Sequence, residues 1–350
     1  MAAADDLKFM QRCLELAMKA EGRTYPNPLV GSVIVHDGRI IGEGYHMKAG
    51  GPHAEVRAVD SVRNRSLLPL SSIYVNLEPC SHFGKTPPCA DLIISHRIPV
   101  VVVGTADTSV KVSGRGLLKL SESGCRVILG VAEDNCRKIN KRFFTFHEKR
   151  RPYIILKWAK SADGFIDIDR EMRRSTGPGW ITGKPERILV HKWRAEEQAI
   201  LVGAETVRID DPLLNVREWR GSNPVRVILS GSGILPEEPA MNRVIGSQVI
   251  FSFFPEKINF PGSVVVKLNR NEPSAVQILD YLYGWGIQSL FIEGGAGVLN
   301  HFISLGLWDE ARIFTGGQKY GNGIKAPEIG GTPLLKTEFE KSRLEILHNS

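Results

Sequence analysis

Long apolar runs are missing from this 350-residue sequence; none approaches the roughly 20 residues that a membrane-spanning helix requires. Met1 to Asp6 is acidic without an apolar core, so it does not read as a secretory signal. Cysteine is scarce: five residues, an odd number without disulfide-framework spacing, fit a reducing, cytoplasmic setting. Blocks of five or six like charges are absent, and the densest cluster, Glu148 to Arg151, reads as a linker. Aromatic residues make up only 8% and do not interleave with basic ones, which argues against a groove that stacks nucleic-acid bases. No G-x-G-x-x-G follows the first strand of the second half, so an ordinary Rossmann domain is excluded.

What is present bounds the class. The length and the 42% apolar content suit two domains with sizeable cores. A net charge of +7 without basic tails favours phosphate on a small ligand over nucleic acid. The chemistry concentrates in His53, Glu55, Cys80 and Cys89. One imidazole and two thiolates are a three-ligand zinc set that leaves a fourth position for water, whereas structural zinc sites normally take four protein ligands. Glu55, two residues after the histidine and not needed as a ligand, is placed to carry protons. H-x-E followed by P-C and a second cysteine is the signature of zinc nucleobase deaminases. Cys13, Cys125 and Cys136 read as core or helix residues.

In the first half, periodicity predicts a helix over Asp6 to Glu21 with Leu7, Met10, Leu14 and Ala17 on one face. A hairpin follows, turning at Asp37-Gly38. Helices begin near His53 and Cys89, strands cover 72–76, 100–104 and 126–130, and one helix runs from Ala132 to Phe144. Such an order implies a sheet sandwiched by helices, with a helix N-terminus lowering the Cys89 thiol pKa. In the second half, 153–158 is an almost continuously apolar strand of the kind buried in parallel sheets. Further strands are expected at 199–202, 225–229, 248–251, 263–267 and 289–293, with helices at 184–197 and 274–283. The strand ending at Glu293 enters a glycine cluster, Gly294 to Gly297, whose backbone N–H groups suit a phosphate.

Nucleobase deaminases usually separate their two cysteines by two residues. Here Ser81 to Pro88 stands between Cys80 and Cys89. With Pro26-Asn27-Pro28, Gly31 and Gly51 to Glu55, this insertion resembles the bifunctional deaminase–reductase family of riboflavin biosynthesis. In the second half Lys157 to Gly164, Trp180 to Thr182, Arg194, Gly203 to Arg217 and Glu293 to Gly295 resemble that family's reductase. The resemblance is strongest over 20–110 and 151–217.

The resemblance implies an α/β fold, with a cytidine-deaminase-like α/β/α domain over 1–148 and a dihydrofolate-reductase-like α/β domain over 149–350. It implies deamination of a 2,5-diamino-6-phosphoribosylamino-pyrimidinone by zinc-activated water, with Glu55 as proton carrier. NADPH then reduces the ribosyl group to ribityl. Asn27, His82 and Lys85 become candidate contacts in the deaminase. In the reductase, Ser161, Trp180, Thr206, Asp210, Gly294, Gly295, Ala296 and Gly297 are implied to contact NADPH. Arg194, Leu214, Arg217 and Glu293 are implied to face the substrate, with arginine suiting phosphate through paired donors. Either Lys157 or Asp210 supplies the proton that accompanies hydride transfer. A homo-oligomer, dimer or tetramer, is the family-like expectation, with neither nucleic acid nor membrane as partner.

The sequence also departs from the family pattern. Asp107 to Val110 lacks the usual prolines, Ala162 stands where leucine is common, and Thr315-Gly316 replaces Ala-Pro. Gly177 to Trp180 lacks a serine expected to touch substrate. That loss leaves open an active deaminase with a degenerate reductase domain. A nucleic-acid-acting deaminase ranks last.

Overall fold

A computed structural model describes residues 4–81, 83, 87–109, 114–169 and 179–349. The chain divides into two compact units, Met1–Arg150 and Arg151–Ser350. Among the described residues no helix is long and apolar enough to cross a membrane.

The first unit opens with α1 (Ala4–Met18), on which Met10, Leu14 and Ala17 are buried while Leu7 stays half-exposed. Strands β1 (Gly31–His36) and β2 (Arg39–Tyr45) form the expected hairpin. Its turn takes Asp37 and Gly38 into the left-handed region, which matches the twist of the flanking strands. There follow α2 (Ala54–Ser61), β3 (Ser72–Leu77), α3 (Cys89–Ser95), β4 (Val100–Thr105), α4 (Arg115–Glu122) and β5 (Arg126–Leu129). The sheet order is β2-β1-β3-β4-β5; β1 is antiparallel to both neighbours, and β3, β4 and β5 run parallel. Ala58, Val59, Ile93 and Leu120 of α2, α3 and α4 pack on one face with Ile34, Ile73 and Val101. Met10 and Cys13 of α1 pack on the other, with Val33, Tyr74, Val102 and Cys136.

The single helix expected over Ala132 to Phe144 is two helices, α5 (Glu133–Ile139) and α6 (Lys141–Lys149). They break at Asn140, whose buried amide is committed elsewhere: its Oδ1 accepts from the Leu29 N–H at 2.7 Å and its Nδ2 donates to the Leu29 carbonyl at 2.9 Å. Helical continuity yields here to a side chain that completes the backbone of the Pro28 loop. Because α6 runs through Lys149, the expected linker shrinks to Arg150, which has a left-handed φ of 53°, and Arg151.

The second unit begins with β6 (Tyr153–Lys160) and β7 (Phe165–Ile168), then α7 (Lys184–Glu196), β8 (Ala199–Gly203) and α8 (Ala204–Asp210). Next come β9 (Val225–Ser230), β10 (Gln248–Ser252), β11 (Val264–Lys267), α9 (Ser274–Gly284), β12 (Ser289–Ile292) and α10 (Ala296–Ser304). Four strands close the chain: β13 (Glu310–Gly316), β14 (Gly323–Lys325), β15 (Thr332–Glu338) and β16 (Ser342–His348). The described residues form a nine-stranded sheet of order β11-β10-β9-β8-β12-β6-β13-β16-β15, and β14 pairs with β7. Strand β6 lies inside the sheet, between β12 and β13. Its Ile154, Leu156 and Trp158 join the core under α9 and α10, and Tyr153 and Ile155 join the core under α7 and α8. Burial on both faces is why this segment shows no alternation in sequence.

Candidate active sites

The first site forms where β3 ends and two helices begin. His53 caps α2, Glu55 lies in its first turn, Cys80 follows β3, and Cys89 opens α3. The His53 Nδ1 atom lies 3.5 Å from the Cys80 Sγ and 3.3 Å from the Cys89 Sγ. All three donor atoms lie within 4.8 Å of one another. The set fits zinc: one imidazole nitrogen and two sulfurs converge on a single point, and no fourth protein donor joins the group among the described residues.

The amide at the start of α3 serves a different sulfur from the one expected. The Cys89 N–H donates to the Cys80 Sγ at 3.3 Å. Cys80 is held at about 4, first by the hydrogen bond from the Cys89 thiol and then by His53. Cys89 is correspondingly pushed up, because it is the donor in that bond and is buried. Glu55 is 3% exposed; burial raises its carboxyl pKa, and the neighbouring Cys80 charge raises it further. A raised carboxyl that is not a ligand is suited to shuttling protons.

The loops around this centre are tied by groups that sequence reasoning assigned no role. Buried Glu78 accepts from the amides of Asp107, Gly114 and Gly116 at 2.9–3.1 Å, which joins the Cys80 loop to the segment before α4. Gly116 has to be glycine, since a Cβ there would stand 2.0 Å from the Pro79 carbonyl oxygen. His46 is buried, and burial lowers its pKa. Its Nδ1 lies 3.1 Å from the Pro52 carbonyl, which can only accept, so Nδ1 carries the proton. Its Nε2 therefore accepts from Asn27 Nδ2 at 3.0 Å. The expected contact Asn27 is thus linked through His46 to the residue preceding the ligand His53. A histidine shortly after a strand gave no signal in sequence. His82 and Lys85 lie outside the described residues, as do Val110 and the stretch ending at Pro178.

The second site is a cavity of about 810 Å³ at the ends of β6, β8, β9 and β12. Lys157, Thr206, Asp210, Glu293 and Gly294 to Gly297 line it, as sequence reasoning expected of a common site. Gly231, Ser232 and Ile234, after β9, complete its wall and were not anticipated. Gly295 donates its N–H to Thr206 Oγ1 at 3.2 Å, and no atom lies within 4 Å of where a Cβ on Gly297 would stand. Open backbone at the start of α10 fits a phosphate-bearing cofactor.

Glu293 is the electrostatic centre of this site. Arg194 Nε and Nη2 donate to its two oxygens at 2.6 and 2.9 Å, and Lys157 Nζ stands 3.6 Å away. Burial pushes the Glu293 carboxyl up, but Arg194 and Lys157 outweigh it and hold the group at about 2. Lys157, with 18% of its side chain exposed, has its pKa lowered by burial, a shift that Glu293 opposes. Other expected residues are not among those that line the cavity. The Ser161 hydroxyl is buried and donates to Asp163 at 2.6 Å. Trp180 is half-exposed under the Arg187 guanidinium, between the lining residues Gly179 and Ile181. Leu214 is buried with a left-handed φ of 48°. Arg217 Nη1 donates to Asn215 Oδ1 at 3.2 Å.

Comparison with known proteins covers nearly the whole chain. Residues 3–105 match the family described as cytidine and deoxycytidylate deaminase zinc-binding region, and residues 152–347 match the RibD C-terminal domain. The riboflavin biosynthesis protein RibD of Aquifex aeolicus is 39% identical over 334 residues, which is 93% of this chain and 90% of that protein. That of Actinobacillus pleuropneumoniae is 35% identical over 95% of this chain and 89% of its own. Among solved structures, a diaminohydroxyphosphoribosylaminopyrimidine deaminase/5-amino-6-(5-phosphoribosylamino)uracil reductase from Thermotoga maritima superposes with a TM-score of 0.88 at 36% identity, covering 99% of both chains. RibD of Acinetobacter baumannii gives 0.87 at 30% identity, again over 99% of both chains.

Proposed function

Because this chain belongs to the RibD family of bifunctional riboflavin-biosynthesis deaminase/reductases, we propose a division of labour between its two units. Residues 1–148 deaminate the diamino pyrimidine phosphoribose, and residues 149–350 reduce the resulting 5-amino-6-(5-phosphoribosylamino)uracil. The observation that carries this reading is the convergence of His53, Cys80 and Cys89 beside buried Glu55.

Zinc, when bound by those three residues, supplies a Lewis acid that makes water nucleophilic near neutral pH. With zinc held there, Glu55 would carry a proton from the attacking water to the departing amino group, so that one water is consumed and one ammonia released. Asn27, aligned by His46, orients the ring. In the second unit NADPH, when bound, would supply the hydride. With NADPH bound, Gly294 to Gly297 would hold its phosphate at the start of α10, the Gly295 N–H being shared with Thr206 Oγ1, and Thr206 and Asp210 form the neighbouring wall. Lys157 gives the proton that accompanies hydride, since its ammonium borders the cavity and burial makes it more acidic. Ser161, Trp180, Arg194, Leu214, Arg217 and Glu293 keep the contact roles that the family resemblance implies. His82 and Lys85 do likewise for the phosphorylated pyrimidine.

Zinc-loaded protein given the diamino substrate and NADPH is expected to release ammonia and oxidise NADPH; with the uracil intermediate it oxidises NADPH alone. Ammonia release without oxidation on either substrate would leave a deaminase with an inactive second unit.

The homo-oligomer reading, dimer or tetramer, finds support in edge strand β15, where Leu334 and Leu335 are 51% and 47% exposed. Light scattering coupled to size exclusion is expected to give a multiple of the chain mass, and a monomer at working concentration would reject it. A cytoplasmic location fits the free cysteines.

A further inference from the structure

The loop from Leu214 to Arg217 carries two of the expected substrate contacts, yet its backbone is not a relaxed one. Leu214 is a buried, branched residue at φ 48°, a conformation that persists only where the surroundings over-determine it. Helix α7 supplies much of that determination from one face. Three residues apart on it, His191 and Arg194 reach the loop at two points. Arg194 Nη1 donates to the Asn215 carbonyl at 3.3 Å, and His191 Nδ1 accepts from the Arg217 N–H at 3.3 Å. From the far side, Asn223 Oδ1 accepts from the Val216 N–H at 2.8 Å.

We infer that His191 is a positioning residue of the reductase: its neutral imidazole holds the backbone of Arg217, so that the guanidinium is presented to the phosphorylated substrate. The inference rests on the reading of Arg217 as a substrate contact. His191 is 3% exposed, too enclosed for water to replace it as the acceptor. Because Nδ1 accepts, the ring proton sits on Nε2, which lies 4.0 Å from Glu218 Oε1. The charged groups acting on the ring are Arg194, Arg217, Glu218 and Glu293. Burial, then the two guanidinium groups, hold the imidazole at about 4, so the acceptor persists across the working pH range. A lysine or arginine here would place a third cation between Arg194 and Arg217 and offer no acceptor.

The test compares His191→Leu, which removes the acceptor, with His191→Asn, whose Oδ1 can stand where Nδ1 does. Both are made in the full zinc-loaded chain and assayed with 5-amino-6-(5-phosphoribosylamino)uracil at saturating NADPH. His191→Leu is expected to raise KM for the uracil about tenfold while kcat changes by less than about threefold. The NADPH dissociation constant, measured by direct titration, stays at its original value. His191→Asn is expected to recover most of the lost KM. Equal defects in the two variants, or a parallel loss of kcat and NADPH affinity, would show a plain core residue and overturn the inference. Arg217→Ala separates the two levels. If it leaves KM unchanged, the reading of Arg217 is wrong and the inference goes with it. If it raises KM while His191→Leu does not, only the positioning role is wrong.

Discussion

Glu55→Gln is expected to release ammonia at least about a hundredfold more slowly than the unaltered chain, the usual contribution of a positioned acid–base group, at unchanged zinc content. The amide matches the carboxyl in size and fills the same buried position, so the start of α2 and the ligand His53 stay in place. It cannot take a proton from water. Because Glu55 is not one of the three converging donors, zinc is retained, as elemental analysis of the purified variant would record. NADPH oxidation on the diamino substrate disappears with the ammonia. It returns to the original rate when the uracil intermediate is supplied, because the cavity of the second unit is untouched. An unchanged rate of ammonia release with zinc bound would sink the assignment of Glu55.

Lys157→Met is expected to slow NADPH oxidation on the uracil by about a hundredfold or more, with the NADPH dissociation constant unchanged. Methionine replaces much of the lysine stem and removes the proton. The change would be dangerous to the fold if it stranded a buried carboxylate, since removing one partner of a buried pair is costly. Glu293 is not stranded, because Arg194 still donates to both of its oxygens. Its carboxyl, depressed from the ordinary 4.5 to about 2, stabilises the fold above pH 4.5 and loses that contribution only as pH falls towards 2. Without Lys157 that depression is smaller, but Arg194 still pairs the carboxylate, so the variant is expected to stay folded at neutral pH, which urea denaturation checks. Full activity in Lys157→Met, with activity lost in Asp210→Asn instead, would move the proton donor to Asp210.

Much of this protein is legible in its sequence. The zinc ligands are, because H-x-E, P-C and the second cysteine are local motifs whose residue types are set by metal chemistry rather than by the surrounding fold. So is the hairpin turn at Asp37-Gly38, which needs residues that tolerate positive φ. Strand β6 is legible because burial on both faces leaves an almost continuous apolar run, interrupted by Lys157. The four closing strands were not foreseen. Strand β15 is exposed along nearly all its length, so it carries no buried alternation for a sequence pattern to show.

Residue types within a few neighbouring positions marked the metal set and singled out Glu55 and the glycine run at 294–297, while the class of the second unit came from its resemblance to a known family. Tertiary structure alone decided where long-range partners meet. It placed Arg194 against Glu293, 99 residues apart, Asn140 against Leu29, 111 apart, and the Arg217 amide against His191. It also turned the α3 amide onto Cys80 rather than Cys89. Each of these satisfies a buried or partly buried polar group, and which partner does so depends on which elements the fold brings side by side; no local pattern of residues records that.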